Sequence, residues 1–219
     1  MKAIIFDLDG TLVDTVHCHV IAWQRAFCEF GLSVDAANIH RRIGMSGSLL
    51  MQQCAREIGA VPSSDEMAGM DASHQSLFDL LTPEPRPLNG AKELIALLHG
   101  DKAPCGIATS GERPAIDSSL ACLGLPADMI VVDSGDAKEA KPEPDLFLEC
   151  RRRLGVAVAE CLIVGDSVWD VLAARRAGFL AVGLLCGGTS EDDLYRAGAF
   201  RVYGGPGQLQ SALGELGFK

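Results

Sequence analysis

Ala3-Ile4-Ile5-Phe6-Asp7-Leu8-Asp9-Gly10-Thr11-Leu12 is the stretch from which the fold can be read outward. An uncharged apolar run that ends abruptly in two carboxylates, a glycine and a hydroxyl predicts a buried parallel strand with acids at its C-terminal mouth. Side chains alternate along an extended segment, so Asp7 and Asp9 face the same way. Two acids sharing one site repel each other unless a cation or a shared proton relieves them, so the pair predicts a metal, a raised pKa or both. Gly10 lets the chain turn sharply at the strand mouth. An ordinary acidic turn closing a strand uses the same residue types, and the later segments weigh between the two readings.

Beyond this stretch, Asp14 or Thr15 is placed to cap a helix over Val16 to Phe30, which ends at Gly31. A helix-rich region follows, with segments near 35–43, 48–58 and 64–80 broken by Gly44, Gly47, Gly59 and Pro62. The alternating prolines of Thr82-Pro83-Glu84-Pro85-Arg86-Pro87 cannot continue a helix and predict an extended return linker from an inserted domain. From Gly90 the pattern alternates. Helices are expected at 91–99, 113–123, 144–154, 168–177, 191–197 and 207–216, and strands at 105–108, 129–132, 161–164, 180–184 and 200–202. Gly204-Gly205-Pro206-Gly207 reads as a turn. The expectation is an α/β protein: a doubly wound, Rossmann-like parallel-sheet core formed by residues 1–14 and 85–219, with a small α-helical cap inserted over 15–84. Ligands of such sheets sit outside the carboxyl ends of the strands.

The 219 residues are 48% apolar and 22% charged, which fits an ordinary folded chain and excludes disorder. No run reaches the roughly 20 apolar residues that span a bilayer, and no secretory signal is visible, so a cytoplasmic protein without a membrane partner is expected. The formal charge of −10 argues against nucleic-acid binding but not against a small phosphorylated ligand held locally. The eight cysteines contain no CxxC pair and are expected to be reduced, buried or half-buried thiols.

Three later strand ends carry residues that an acidic site needs. Thr109-Ser110-Gly111, at a helix start, suits a phosphate cradle, or equally a plain N-cap. Lys141, in Ala140-Lys141-Pro142-Glu143-Pro144, offers either a solvated ammonium or one that neutralises a phosphoryl group and a carboxylate together. Asp166 and Asp170 in Gly165-Asp166-Ser167-Val168-Trp169-Asp170 lie one helical turn apart and can share a cation, although acids at a helix N-terminus also suit the dipole. Together these strand ends outweigh the ordinary turn and cap readings.

In these four segments, in order, the chain resembles the haloacid dehalogenase superfamily over essentially its full length, in its phosphatase and β-phosphoglucomutase-like branch with a small helical cap. Asp7-Leu8-Asp9-Gly10-Thr11 is similar to the first motif, Thr109 to the second, Lys141 to the third, and Gly165-Asp166-Ser167 with Asp170 to the fourth. The resemblance implies phosphoryl transfer through an aspartyl-phosphate, with Asp7 as nucleophile, Asp9 as general acid and base, and Lys141 as neutralising cation. It also implies phosphate binding by Thr109, Ser110 and Lys141, and Mg²⁺ held by Asp7, the backbone carbonyl of Asp9, Asp166 and Asp170. Asp9 points to a phosphate ester, because a halide needs no proton to leave.

In the cap, His17, His19, Trp23, Arg41, Arg42, Met45 and Ser46 are placed where they can face the site, with His19, Trp23, Arg42 and Ser46 the substrate candidates. His17 and His19 also read as half-buried helix residues, and Trp23 as core. The helix of His19 and Trp23 resembles the first cap helix of β-phosphoglucomutases, but Gly44-Met45-Ser46-Gly47 has glycine where those mutases carry a phosphate-gripping arginine; Arg41 or Arg42 is the available substitute. The expectation is a phosphatase acting on a small phosphorylated metabolite such as phosphoglycolate or a sugar phosphate, as monomer or weak homodimer. A phosphomutase and a catalytically idle binding protein are the alternatives.

Overall fold

A computed structural model describes residues 2–218. β1 (Ala3–Phe6) is followed by four helices, α1 (Val16–Glu29), α2 (Ala36–His40), α3 (Gly47–Glu57) and α4 (Ser64–Leu81). The chain then alternates through α5 (Ala91–Gly100), β2 (Cys105–Ala108), α6 (Asp117–Leu123), β3 (Ile130–Val132), α7 (Asp145–Leu154) and β4 (Cys161–Gly165). It ends with α8 (Val168–Arg176), β5 (Leu180–Leu184), α9 (Glu191–Ala197), β6 (Arg201–Tyr203) and α10 (Pro206–Ser211). The strands form one sheet in the order β3-β2-β1-β4-β5-β6, parallel throughout. This is the doubly wound α/β architecture expected from the sequence.

Period-two alternation divides the strand side chains between two layers of core. Ile4, Phe6, Ile107, Val164 and Leu184 pack against residues of α5, α6 and α10, including Leu94, Leu120 and Leu209. Ala3, Ile5, Ala108, Ile163 and Ala181 pack on the other face against residues of α7, α8 and α9, including Phe147, Val171 and Leu194. Strands covered on both faces must be apolar throughout, which is why β1 and β4 read as uninterrupted hydrophobic runs.

β1 lies at the centre of the sheet, between β2 and β4. The strand order reverses there, opening a crevice at the carboxyl ends of β1 and β4. Phe6 pairs with Ile107 on one side and Val164 on the other, so the residues just past each of these positions converge on that crevice.

A third apolar cluster is drawn from residues 16–70 alone, with Trp23, Phe27, Ile39, Leu50 and Met70 among its members. The outgoing and returning chains run side by side beneath it. Val13 bridges Pro87 in antiparallel fashion, Asp14 N–H donates to the Arg86 carbonyl at 2.9 Å, and Leu88 N–H donates to the Leu12 carbonyl at 2.9 Å. The proline-rich return carries no helix, as its composition requires, but it bends at Pro83 and Glu84 before Pro87 bridges Val13.

Several element boundaries shift from the sequence reading. The helix expected from Arg113 begins at Asp117, because Pro114 disfavours helical geometry at the residue before it and leaves a turn in its place. The helix expected over 35–43 shortens to Ala36–His40, and the one expected to Leu216 closes at Ser211. Pro206, read as part of a turn, opens α10 at its first position, where the missing N–H costs nothing. Thr15 occupies the N-cap of α1 without making a capping bond, and its hydroxyl is used elsewhere. All eight cysteines are free, and Cys28 is exposed rather than buried. Among the described residues no helix is long and apolar enough to cross a membrane.

Candidate active site

The mouth of β1 delivers Asp7, whose N–H donates to the Val164 carbonyl at 2.8 Å and so extends the ladder one residue past the strand. The mouth of β4 delivers Asp166, and the first turn of α8 adds Asp170. Both are buried, as is Asp7. Ser167 caps α8 reciprocally: its hydroxyl accepts from the Asp170 N–H at 3.3 Å, while Asp170 Oδ2 accepts from the Ser167 N–H at 3.1 Å and its hydroxyl at 2.6 Å. One oxygen of Asp170 is thereby fixed as a cap acceptor, which aims the other into the centre.

Lys141 reaches this centre from the loop before α7 and is fully buried. Its ammonium donates to Asp7 Oδ1 and to the Ala108 carbonyl at 3.0 Å, lies 2.8 Å from Asp170 Oδ1, and stands 4.9 Å from the centroid of the Phe147 ring. Burial works against its charge, but Asp170 and Asp7 more than offset this and raise its pKa. Thr11 holds the third acid, donating from Oγ1 to Asp166 Oδ1 at 2.9 Å.

Asp7, Asp166 and Asp170 offer carboxylate oxygens that lie within 4.8 Å of one another. Three acids thus face one ammonium. Burial, reinforced by Asp170, outweighs Lys141 and pushes Asp7 up to about 7; burial together with Asp170 and Asp7 raises Asp166 well above the usual carboxylate range. An all-oxygen donor set with surplus negative charge suits a hard divalent cation such as Mg²⁺. Two glycines keep the cluster open. Gly10 adopts φ +79°, and a Cβ there would come within 2.6 Å of Asp166 Oδ2; a Cβ on Gly187 would overlap the Asp166 carboxylate outright.

Asp9 stands apart from the cluster and faces the helical region. Its Oδ1 accepts from Thr15 Oγ1 at 2.6 Å and lies 3.5 Å from His19 Nε2. Burial works against its charge, but bonding to His19 and Thr15 holds its pKa below the ordinary carboxylate value. The two acids of the opening motif therefore have opposite environments.

The remaining expected residues divide. Thr109 is buried, and its Oγ1 accepts from the Gly111 N–H at 3.1 Å. The Ser110 hydroxyl donates to the Gly44 carbonyl at 3.0 Å, joining core to helical region. Trp169 Nε1 donates to the Arg41 carbonyl at 2.8 Å and His40 Nε2 to the Gly187 carbonyl at 2.9 Å, adding two further bonds of the same kind. Trp23 is core, stacked on His74 with centroids 3.9 Å apart. Ser46 caps α3 by accepting from the Leu49 N–H at 3.4 Å. Arg42 is not brought to the acids: its guanidinium pairs with Glu57 and donates to the Asn38 carbonyl at 2.7 Å, because Glu57 offers a carboxylate within the same helical region. Arg41 is likewise taken up by the Asn38 side chain.

Gly187 and His74 are parts of the site that the sequence reading missed, and Thr15 reads there only as a helix cap. For His74 a signal existed: it is the one polar member of the buried stripe Met70, His74, Phe78 on α4. Burial, with His19 beside it, lowers its pKa to about 3 from 6.5. The folded state therefore holds His74 neutral while the unfolded chain protonates below about 6.5, so this contribution is present above 6.5 and lost as the pH falls toward 3. Urea unfolding across that window is expected to show His74→Gln losing stability less steeply than wild type, by up to about 1.4 kcal/mol per pH unit.

Fold and site together define a doubly wound α/β protein with a buried, lysine-bridged acidic centre at the switch point of its sheet. A family profile described as haloacid dehalogenase-like hydrolase matches residues 1–178. The validoxylamine A 7'-phosphate phosphatase of Streptomyces hygroscopicus subsp. limoneus is 31% identical over 184 residues, covering 84% of this chain and 85% of that protein. The fructose-1-phosphate phosphatase YqaB of Escherichia coli K12 is 32% identical over 185 residues, covering 82% and 94%. The crystal structure of a hydrolase from Pseudomonas syringae superposes with a TM-score of 0.95 at 38% identity, covering 99% of each chain. The chain belongs to the haloacid dehalogenase-like hydrolases, and within them it is an enzyme of the phosphoric monoester hydrolase type.

Proposed function

We propose that this protein is a Mg²⁺-dependent phosphatase that hydrolyses a small phosphorylated metabolite, a sugar-phosphate-like monoester, through an aspartyl-phosphate on Asp7. The observation that carries the reading is the split between the two acids of the first motif: Asp7 lies in the lysine-bridged centre, and Asp9 outside it under Thr15 and His19. Two carboxylates held in separate places, one bonded to the lysine of the cluster and the other facing the helical region, leave one free to act as nucleophile and the other as acid and base. The curated relatives named as phosphatases of phosphorylated sugars or sugar-like molecules support the substrate class.

In this reading Asp7 attacks phosphorus while Lys141 holds its carboxylate and neutralises the approaching anion. Asp9 gives a proton to the leaving oxygen and later takes one from the attacking water. The neighbouring anionic phosphoryl group raises the affinity of Asp9 for that proton once substrate is bound. Thr109 and the Ser110 N–H receive the non-bridging oxygens. Asp7, Asp166, the Asp9 carbonyl and Asp170 would hold Mg²⁺, and the bound ion supplies the positive charge that lets a carboxylate meet a phosphate. Residues 15–84 serve as the cap over a core of 1–14 and 85–219, excluding water on closure. A phosphomutase is disfavoured because Arg41 and Arg42, the candidates for gripping a second phosphate, are engaged within the cap.

The test is release of inorganic phosphate from a panel of sugar phosphates, phosphoglycolate and aryl phosphates, with Mg²⁺ and with EDTA. Metal-dependent release, fastest on a sugar phosphate and independent of added sugar bisphosphate, is expected. Absence of release from every ester by folded, Mg²⁺-supplied protein would refute the reading.

A further inference from the structure

The acid that lies outside the metal cluster is held by more than its immediate neighbours. His19 presents Nε2 to Asp9 Oδ1 at 3.5 Å, and its opposite nitrogen, Nδ1, lies 3.1 Å from Nε2 of His74. The two imidazoles are within 19° of parallel, and each is covered by an aromatic side chain: Phe78 stacks on His19 at 3.9 Å and 7°, and Trp23 on His74 at 3.9 Å and 11°. Because His19 uses a different nitrogen on each side, the arrangement is a chain, Asp9 to His19 to His74, and not a set of ligands converging on one ion. His74 is buried on α4, and His19 sits a turn inside α1, so the chain links the two cap helices to the acid of the first motif.

The effect on Asp9 is geometric. Thr15 Oγ1 and His19 Nε2 both approach Oδ1. An oxygen that already accepts from one hydroxyl and faces an imidazole nitrogen is a poor seat for a proton, so the proton that Asp9 must deliver resides on Oδ2. We propose that His74 is a positioning residue for proton transfer: by engaging His19 Nδ1 it keeps the Nε2–H edge of His19 on Asp9 Oδ1 and thereby reserves Oδ2 for the leaving group. This role presupposes the phosphatase reading above. In the step concerned, the Asp7 oxygen bonds to phosphorus, the ester P–O bond breaks with its electron pair going to the leaving oxygen, and the Oδ2–H proton moves to that oxygen. The low pKa of His74, set by its burial, agrees with a ring that stays neutral while doing this.

A residue that orients a general acid matters only where the leaving group needs the proton. An alkyl phosphate needs it, and p-nitrophenyl phosphate, whose phenolate leaves unaided, does not. The experiment compares kcat of wild type, His74→Phe and His74→Gln on a sugar phosphate turned over by the enzyme and on p-nitrophenyl phosphate. Phe keeps the stacking and loses the nitrogen, whereas Gln restores a polar group near the position of Nε2. The expected result is that Phe lowers kcat on the sugar phosphate about 10- to 100-fold and on p-nitrophenyl phosphate less than about 3-fold, with Gln recovering most of the loss, in line with the usual size of general-acid effects. Equal losses on both esters, or none on the sugar phosphate, would overturn the positioning role while leaving the phosphatase reading intact; wild type inactive on every ester would overturn both. Imidazole ¹⁵N spectra of wild type provide a readout that needs neither turnover nor a folded variant. Protonated Nε2 on His19 is expected, and a bare Nε2 with protonated Nδ1 would contradict the role.

Discussion

Asp7→Asn is expected to lower the rate of Mg²⁺-dependent phosphate release by at least about 10⁴-fold while leaving the protein folded, a loss of the size that follows removal of a nucleophile. The amide keeps the volume of the carboxylate and can still meet Lys141, but it cannot form a phosphate anhydride. The variant also removes one of three buried carboxylates that face a single ammonium. Without metal it should therefore unfold no more readily than wild type. Phosphate release and urea unfolding, measured together, separate the two effects: activity is lost and stability is kept. Residual turnover within tenfold of wild type would remove Asp7 from the nucleophilic role.

The second large effect belongs to Lys141. Lys141→Met preserves a long apolar stem beside Phe147 but withdraws the only ammonium bonded to Asp7 and Asp170 among the described residues. Breaking a buried ion pair from one side costs about 3–5 kcal/mol, because the partner charges stay buried without compensation. The sign of the pH dependence is fixed by the acids left behind. Burial and mutual repulsion already raise Asp7 and Asp166 above their unfolded values, and removing the lysine raises Asp7 further. Carboxyls of this kind disfavour the folded state as pH rises from about 4 through their folded pKa values. Urea unfolding in EDTA is thus expected to show a large deficit at mildly alkaline pH that narrows on acidification or on adding Mg²⁺. A deficit that grows on acidification would contradict this electrostatic account.

The strand ends were the legible part of this molecule. Buried parallel strands announce themselves as uncharged runs, and the polar residue that stops each run is forced to the same edge of the sheet by the parallel topology. Asp7, Thr109 and Asp166 could therefore be assigned to one site, and Lys141 follows from the loop that opens α7. The family resemblance supplied roles for them that spacing alone left open.

What escaped the sequence reading depends on contacts between segments far apart in the chain. Thr15 reads as an N-cap, and nothing local says that its hydroxyl turns back to Asp9. Arg42 reads as available for a phosphate from its position, but Glu57, fifteen residues on, takes its guanidinium. His74 lies fifty-five residues from His19 on another helix, and Gly187 meets Asp166 only because β5 lies beside β4 in the sheet. Helix ends moved for local reasons, such as Pro114 delaying α6, that shift a boundary without moving the site.

An aspartyl-phosphate on Asp7 can be trapped chemically. The protein would be mixed with a turned-over phosphate ester and Mg²⁺, quenched in acid, reduced with borohydride and mapped by peptide mass spectrometry. An acyl phosphate is reduced to an alcohol, so conversion of residue 7 to homoserine, dependent on both substrate and Mg²⁺, is the expected result. Turnover without any change at Asp7, or with the modification at another carboxylate, would contradict the account.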